Sequence, residues 1–127
     1  MRNRDVFMDE IERLSTVIAK LLLQKSNLPK LALVIEINTA YTNLFDLNSK
    51  EISLTNPKII ALLTLEGDSK LNEHKINTLI ELIELDVASN GLTHAKQEVL
   101  FALVKKTIAI GKTYSIELNN KLMKYHL

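Results

Sequence analysis

The chain has no cysteine. Without thiols there can be no disulfide framework, no CxxC redox pair, no thiolate zinc site and no cysteine nucleophile. Glycine occurs three times and proline twice, in 127 residues. Sandwiches and barrels need many turn residues, so this composition argues against an all-β fold. Aromatic residues make up 5%, and arginine occurs only at Arg2, Arg4 and Arg13. Formal net charge is +1. Stacking platforms, a basic surface and an arginine-rich reading helix are all missing, so no nucleic-acid partner is expected. Apolar runs such as Leu21-Leu22-Leu23 are far too short to span a bilayer. Arg2 and Arg4 are followed at once by Asp9, Glu10 and Glu12, with no apolar stretch before a cleavage site. No membrane partner and no secretory signal are therefore expected, and a cytoplasmic location is.

What is present is apolar periodicity. Hydrophobic residues make up 46%, enough for a core in a single all-α domain covering 1–127. About six helices are predicted. The first spans 5–25, with Asp5 as cap and Phe7, Ile11, Leu14, Ile18 and Leu21 in a heptad seam. Pro29 opens the second, which runs to about 47 and carries Leu31, Val34, Ile35, Ile37, Tyr41, Leu44 and Phe45. So broad an apolar face predicts a central helix. Residues 50–55 read as one helical turn. Asn56-Pro57 restarts the chain for a short helix to about 66, closed by Gly67. A fourth helix over 72–89 has Asn72 as cap and Ile76, Leu79, Ile80, Ile83 and Val87 as stripe. Asn90-Gly91 is the strongest stop, since both residues tolerate positive φ. Thr93 caps a fifth helix over 94–110, and a sixth covers 113–125. Branched residues cluster at 32–37 and 107–110, but the surrounding caps and period keep both helical.

Charge is uneven along the chain. Acids dominate 66–90, and lysines dominate from Gly91 onward. Two faces that attract each other within the fold explain this, and a basic patch for an acidic partner is the sharper alternative.

The motifs that would carry chemistry fail on specific residues. Gly111-Lys112-Thr113 matches the end of a phosphate-binding loop, but Lys106 stands where that loop needs glycine, and a helix precedes it. His94 and Glu98 share a helix face and supply two metal ligands at most, short of the three or four a stable site needs. Glu81 and Glu84 lack the Glu-x-x-His partner of a di-iron bundle and read as a solvated acidic face. No Gly-x-Ser-x-Gly elbow exists. A helix-turn-helix around Asn90-Gly91 would place Glu98 in its reading helix. No catalytic residue, cofactor or metal is expected.

Two resemblances bear on the fold. Leu79, Leu82, the turn Asn90-Gly91-Leu92, and Ala95, Val99 and Ala102 resemble one tetratricopeptide-type (TPR-like) helical hairpin. Ile83 fills its small position, Asp86 its tyrosine position, and no proline closes it. The leader from Arg4 to Leu14, continued through Ile18 to Leu22, and the ending Leu44-Phe45-Asp46-Leu47 are similar to a family of short bacterial helical proteins. The resemblance implies an all-helical fold and an interaction role, and no activity. The expected function is a non-enzymatic protein–protein interaction module. Its contact is Phe7, Ile11, Leu14, Ile18 and Leu21, and a second copy of the chain, giving a homodimer, is one candidate partner. The alternative is a small-ligand carrier or enzyme with Tyr41, Asn38 and Asn77 lining a pocket between the second and fourth helices.

Overall fold

A computed structural model describes residues 16, 19–23, 29–66, 69–111 and 115–126. Five α-helices are defined: α1 (Lys30–Phe45), α2 (Pro57–Leu63), α3 (Ser69–Asn90), α4 (His94–Gly111) and α5 (Ile116–Lys124). A 3-10 turn, Ser49–Glu51, lies between α1 and α2, and residues 19–23 are also helical. No strand occurs among the described residues, and the fold is all-α. Both clusters of branched residues lie in helices.

The helix ends follow local chemistry, with some departures from expectation. Pro29 is extended (ψ 151°) and lies one residue outside α1, where its carbonyl accepts the Leu33 amide at 3.0 Å. α1 stops at Phe45 rather than near 47, because Asp46 turns left-handed at φ 54°. Asp46 can adopt that conformation because its short side chain finds a partner: Lys58 Nζ donates to its carboxylate at 2.7 Å. The same ion pair holds the Asp46 carboxyl below the usual range, through the hydrogen bond first and the charge second. The 3-10 turn carries a full capping box, with Asn48 Oδ1 accepting from Lys50 N and Glu51 Oε1 from Asn48 N. Asn56 caps α2 through the Lys58 amide at 2.8 Å, and Pro57 takes the first helical position. α2 ends at Leu63, short of the predicted 66, with Thr64 closing it.

α3 begins at Ser69, so Asn72 is a residue of the first turn and not the cap; its Nδ2 donates to the Glu66 carbonyl at 3.2 Å. Gly91 then takes φ 91°. A Cβ there would meet nothing within 4 Å, so glycine is required by the backbone alone. Thr93 Oγ1 accepts the Lys96 amide at 3.2 Å and caps α4. Ser115 caps α5 through the Leu118 amide, and the helix begins at Ile116, three residues later than predicted.

The core is centred on the α3–α4 hairpin. Ile76, Leu79, Ile80, Leu82 and Ile83 of α3 meet Val99, Leu100, Leu103 and Val104 of α4, with Ile37 and Tyr41 of α1 and Ile59 of α2 around them. α1 is therefore not the central helix that its broad apolar face predicted. It packs on α3 along one stripe, while Leu31 and Ile35 stay 74% and 57% exposed.

Two substitutions separate packing from backbone. Leu100 is fully buried, so Leu100→Ala is expected to cost about 2–5 kcal/mol in urea unfolding. Gly91→Ala is expected to cost about 1–2 kcal/mol, from the left-handed backbone without any packing loss.

Candidate functional site

Asp86 is the one acid on the buried stripe of α3. It lies three residues after Ile83 and seven after Leu79, and helical geometry puts all three on one face. Its exposure is 0%. A bare carboxylate at such a site would be expensive, so the fold surrounds it with donors. Oδ2 accepts from Tyr41 Oη at 2.9 Å, from Ser49 Oγ at 2.6 Å and from Lys96 Nζ at 3.0 Å. Oδ1 accepts from Asn90 Nδ2 at 2.8 Å. The donors come from α1, the 3-10 turn, α4 and the last residue of α3.

Burial pushes the Asp86 pKa up, but the hydrogen bonds from Ser49, Asn90, Lys96 and Tyr41 outweigh it, and the carboxyl titrates below its ordinary value. The Tyr41 phenol is pushed up, by burial first and then by the charge and hydrogen bond of Asp86. A general base needs a free lone pair and a pKa near the working pH. Asp86 has its oxygens occupied and its pKa lowered, so the geometry makes it an anchor.

A second network joins α5 to α3. Glu84 accepts from Lys121 Nζ at 2.9 Å and from Tyr125 Oη at 2.7 Å. Burial raises the Tyr125 pKa, helped by the Glu84 hydrogen bond and charge. The expected solvated acidic face is thus half right: Glu81 is exposed, whereas Glu84 is part-buried and bonded. The Glu81 carboxyl is raised by partial loss of water, opposed by Lys121 and reinforced by Glu84 and Glu117. Together, Asp86–Lys96 and Glu84–Lys121 bring the acidic stretch against the lysine-rich one, as two mutually attracting faces would.

The sequence-predicted site residues are dispersed. Phe7, Ile11, Leu14 and Ile18 lie outside the described residues. Leu21 is 2% exposed and belongs to the chain's own core. Tyr41 is buried in the Asp86 cluster. Asn38 lines a cleft between α1, the 3-10 turn and the end of α3. Asn77 lines a different cleft, between α3 and α5, with Glu81, Glu117 and Lys121. These three residues do not share one pocket. His94 Nε2 is 3.6 Å from Glu98 Oε1, and that pair is exposed on the His94 side. Gly111 is the last residue of α4, and 112–114 lie outside the described residues. No helix among the described residues is long and apolar enough to cross a membrane. Sequence reasoning passed over Asp86 as a failed tyrosine position; an acid at stripe spacing was the available signal.

Removing one partner of a buried pair leaves the other unsatisfied. Asp86→Ala is expected to lower unfolding free energy by about 3–5 kcal/mol, and Asp86→Leu combined with Lys96→Met to recover much of that loss. The pH dependence has a definite sign. With a folded pKa below the unfolded value of about 3.9, Asp86 stabilises fully above that value and loses its contribution as pH falls through the folded pKa. Asp86→Asn is expected to flatten the acid limb of stability against pH, read by circular dichroism. No family model, no curated protein and no solved structure matches the chain.

Proposed function

We propose that the protein is a non-enzymatic helical interaction module that docks a protein partner, a second copy of the chain being one candidate. The observation that carries this reading is the outer face of α1. Leu31 and Ile35 lie one helical turn apart and stay 74% and 57% exposed, on a helix that otherwise packs into the core. Leu22 and Leu23, at 54% and 75%, expose further apolar surface on the preceding helical segment. Isolated exposed apolar residues are ordinary, whereas neighbours on one face mark contact surfaces. The charged groups fit a scaffold: Asp86 and Glu84 hold helices together. The heptad seam of Phe7, Ile11, Leu14 and Ile18 in the sequence extends the same reading toward the N-terminus, and the helical hairpin of α3 and α4 is compatible with a scaffold of this kind.

The test pairs self-association with partner capture. Sedimentation at micromolar concentration is expected to show a dimer that Leu31→Glu with Ile35→Glu converts to monomer, or else native-cell affinity purification is expected to yield a partner that the double variant no longer retains. Circular dichroism controls for fold. A monomer that captures the same proteins with and without the double substitution would overturn the reading.

A further inference from the structure

None of the nine residues of α5 is fully buried. Leu118 and Leu122 pack part-buried against the core, and Tyr125, which ends the helix, is buried. The rest of the hold is polar. Both oxygens of Glu84 on α3 are used: Oε1 accepts from Lys121 Nζ at 2.9 Å, and Oε2 accepts from Tyr125 Oη at 2.7 Å. On α4, Gln97 Nε2 donates long bonds to the carbonyls of Tyr125 and His126, at 3.5 and 3.4 Å, and the His126 ring meets Phe101 edge-on. Isolated helices shorter than roughly 12–15 residues are marginal in water, so α5 does not hold itself. It has two states, docked and helical or undocked and unfolded.

The charges at this seam are unbalanced. Glu81 and Glu117 line the α3–α5 cleft with Lys121 and His74. Lys121 Nζ is 2.9 Å from Glu84 and 3.8 Å from Glu117, so three carboxylates gather around one ammonium. Glu84 spends its charge on bonds to α5, whereas Glu81 makes no hydrogen bond or ion pair to that helix and is repelled by Glu84 and Glu117. We propose that α5 is a latch that folds as it docks, with Glu84 as its catch and Glu81 as a carboxylate that weakens the hold at neutral pH. Opening leaves α3 and α4 paired, because the contact of Leu79 and Ile83 with Leu100 and Leu103 needs no residue of α5. It uncovers Glu84, Gln97 and Phe101, so α5 governs access to that seam. The Glu81 carboxyl titrates above its ordinary value, through lost water first, with Lys121 opposing and Glu84 and Glu117 adding to it. A proton on Glu81 is therefore favoured when α5 is docked. Docking strengthens as pH falls through that raised pKa and weakens as pH rises through it. The latch is independent of the outer face of α1, so its failure would leave the docking reading untouched.

The experiment is hydrogen exchange of the full chain by NMR, corrected for intrinsic rates, comparing the amides of 120–125 with those of 100–104 in α4. The α5 amides are expected to exchange through a local opening, well ahead of the α4 amides. Glu84→Gln is expected to speed α5 exchange about tenfold, the scale of a part-buried charge-assisted pair. Glu81→Gln is expected to slow it about two- to threefold, the scale of one partly exposed charge interaction. Both variants leave the α4 amides unchanged. Lowering pH from about 7.5 to about 5.5, a range that spans ordinary histidine titration, is expected to slow α5 exchange by a similar two- to threefold in the parent and in His74→Gln, and not in Glu81→Gln. Glu81 is exposed, so its variant tests the latch even if Glu84→Gln fails to fold. The proposal is overturned if α5 and α4 exchange through one common opening, or if Glu81→Gln fails to slow α5 exchange. A pH dependence that survives in Glu81→Gln, or disappears in His74→Gln, overturns it as well.

Discussion

A single ionised carboxylate at zero exposure sets the terms on which the helices meet. Apolar contacts are non-directional, and α1, α3 and α4 could bury similar area in several registers. Asp86 narrows the choice. Its oxygens are satisfied only when Tyr41 of α1, Ser49 of the 3-10 turn and Lys96 of α4 arrive together, with Asn90 one turn further along α3. A slip of one turn in any of these would strand a charge in the core, at a cost comparable to much of a domain's stability. A buried pair of this kind contributes little net stability over an apolar pair, and its effect is to penalise alternatives.

The same logic repeats more weakly on the opposite side of α3. Lys121 and Tyr125 bring α5 to Glu84. Here Glu84 and Lys121 are part-exposed, so water can compete and less is at stake. Lys58 does similar work at the surface, holding the left-handed Asp46 where α1 gives way to the 3-10 turn. Graded in this way, the polar contacts divide the molecule into a constrained centre, α3–α4 with Tyr41, and a more permissive periphery that includes the outer face of α1. Partner surfaces belong on that periphery, and the proposed docking face of α1 lies there.

Some of this was legible in one dimension. Asn56-Pro57, Asn90-Gly91 and Thr93 marked helix ends that the structure keeps, because caps and positive φ are local requirements. Asn72 misled, because a cap residue one turn inside a helix looks the same in sequence as one at its start. The apolar breadth of α1 also misled: Leu31 and Ile35 read as core and are exposed. Periodicity records which residues are apolar and is silent on whether a neighbour arrives to cover them. Asn38, Tyr41 and Asn77 were sound choices as polar residues on apolar helices, yet the fold sends them to a cleft, the core and another cleft.

The sequence by itself determined the all-α class and most helix ends. It also set the opposition of an acidic stretch to a basic one, since all of these depend on neighbours within a turn or two or on summed charge. Only the tertiary structure decided which helices are central, and that Asp86 is a buried anchor instead of a failed tyrosine position. It alone placed Tyr41 and Ser49 around one carboxylate, 45 and 37 residues away along the chain. The reason is physical: a carboxylate's state depends on the donors and the water around it in space. For Asp86 three of those donors come from other segments, Tyr41, Ser49 and Lys96, whose meeting no local pattern encodes.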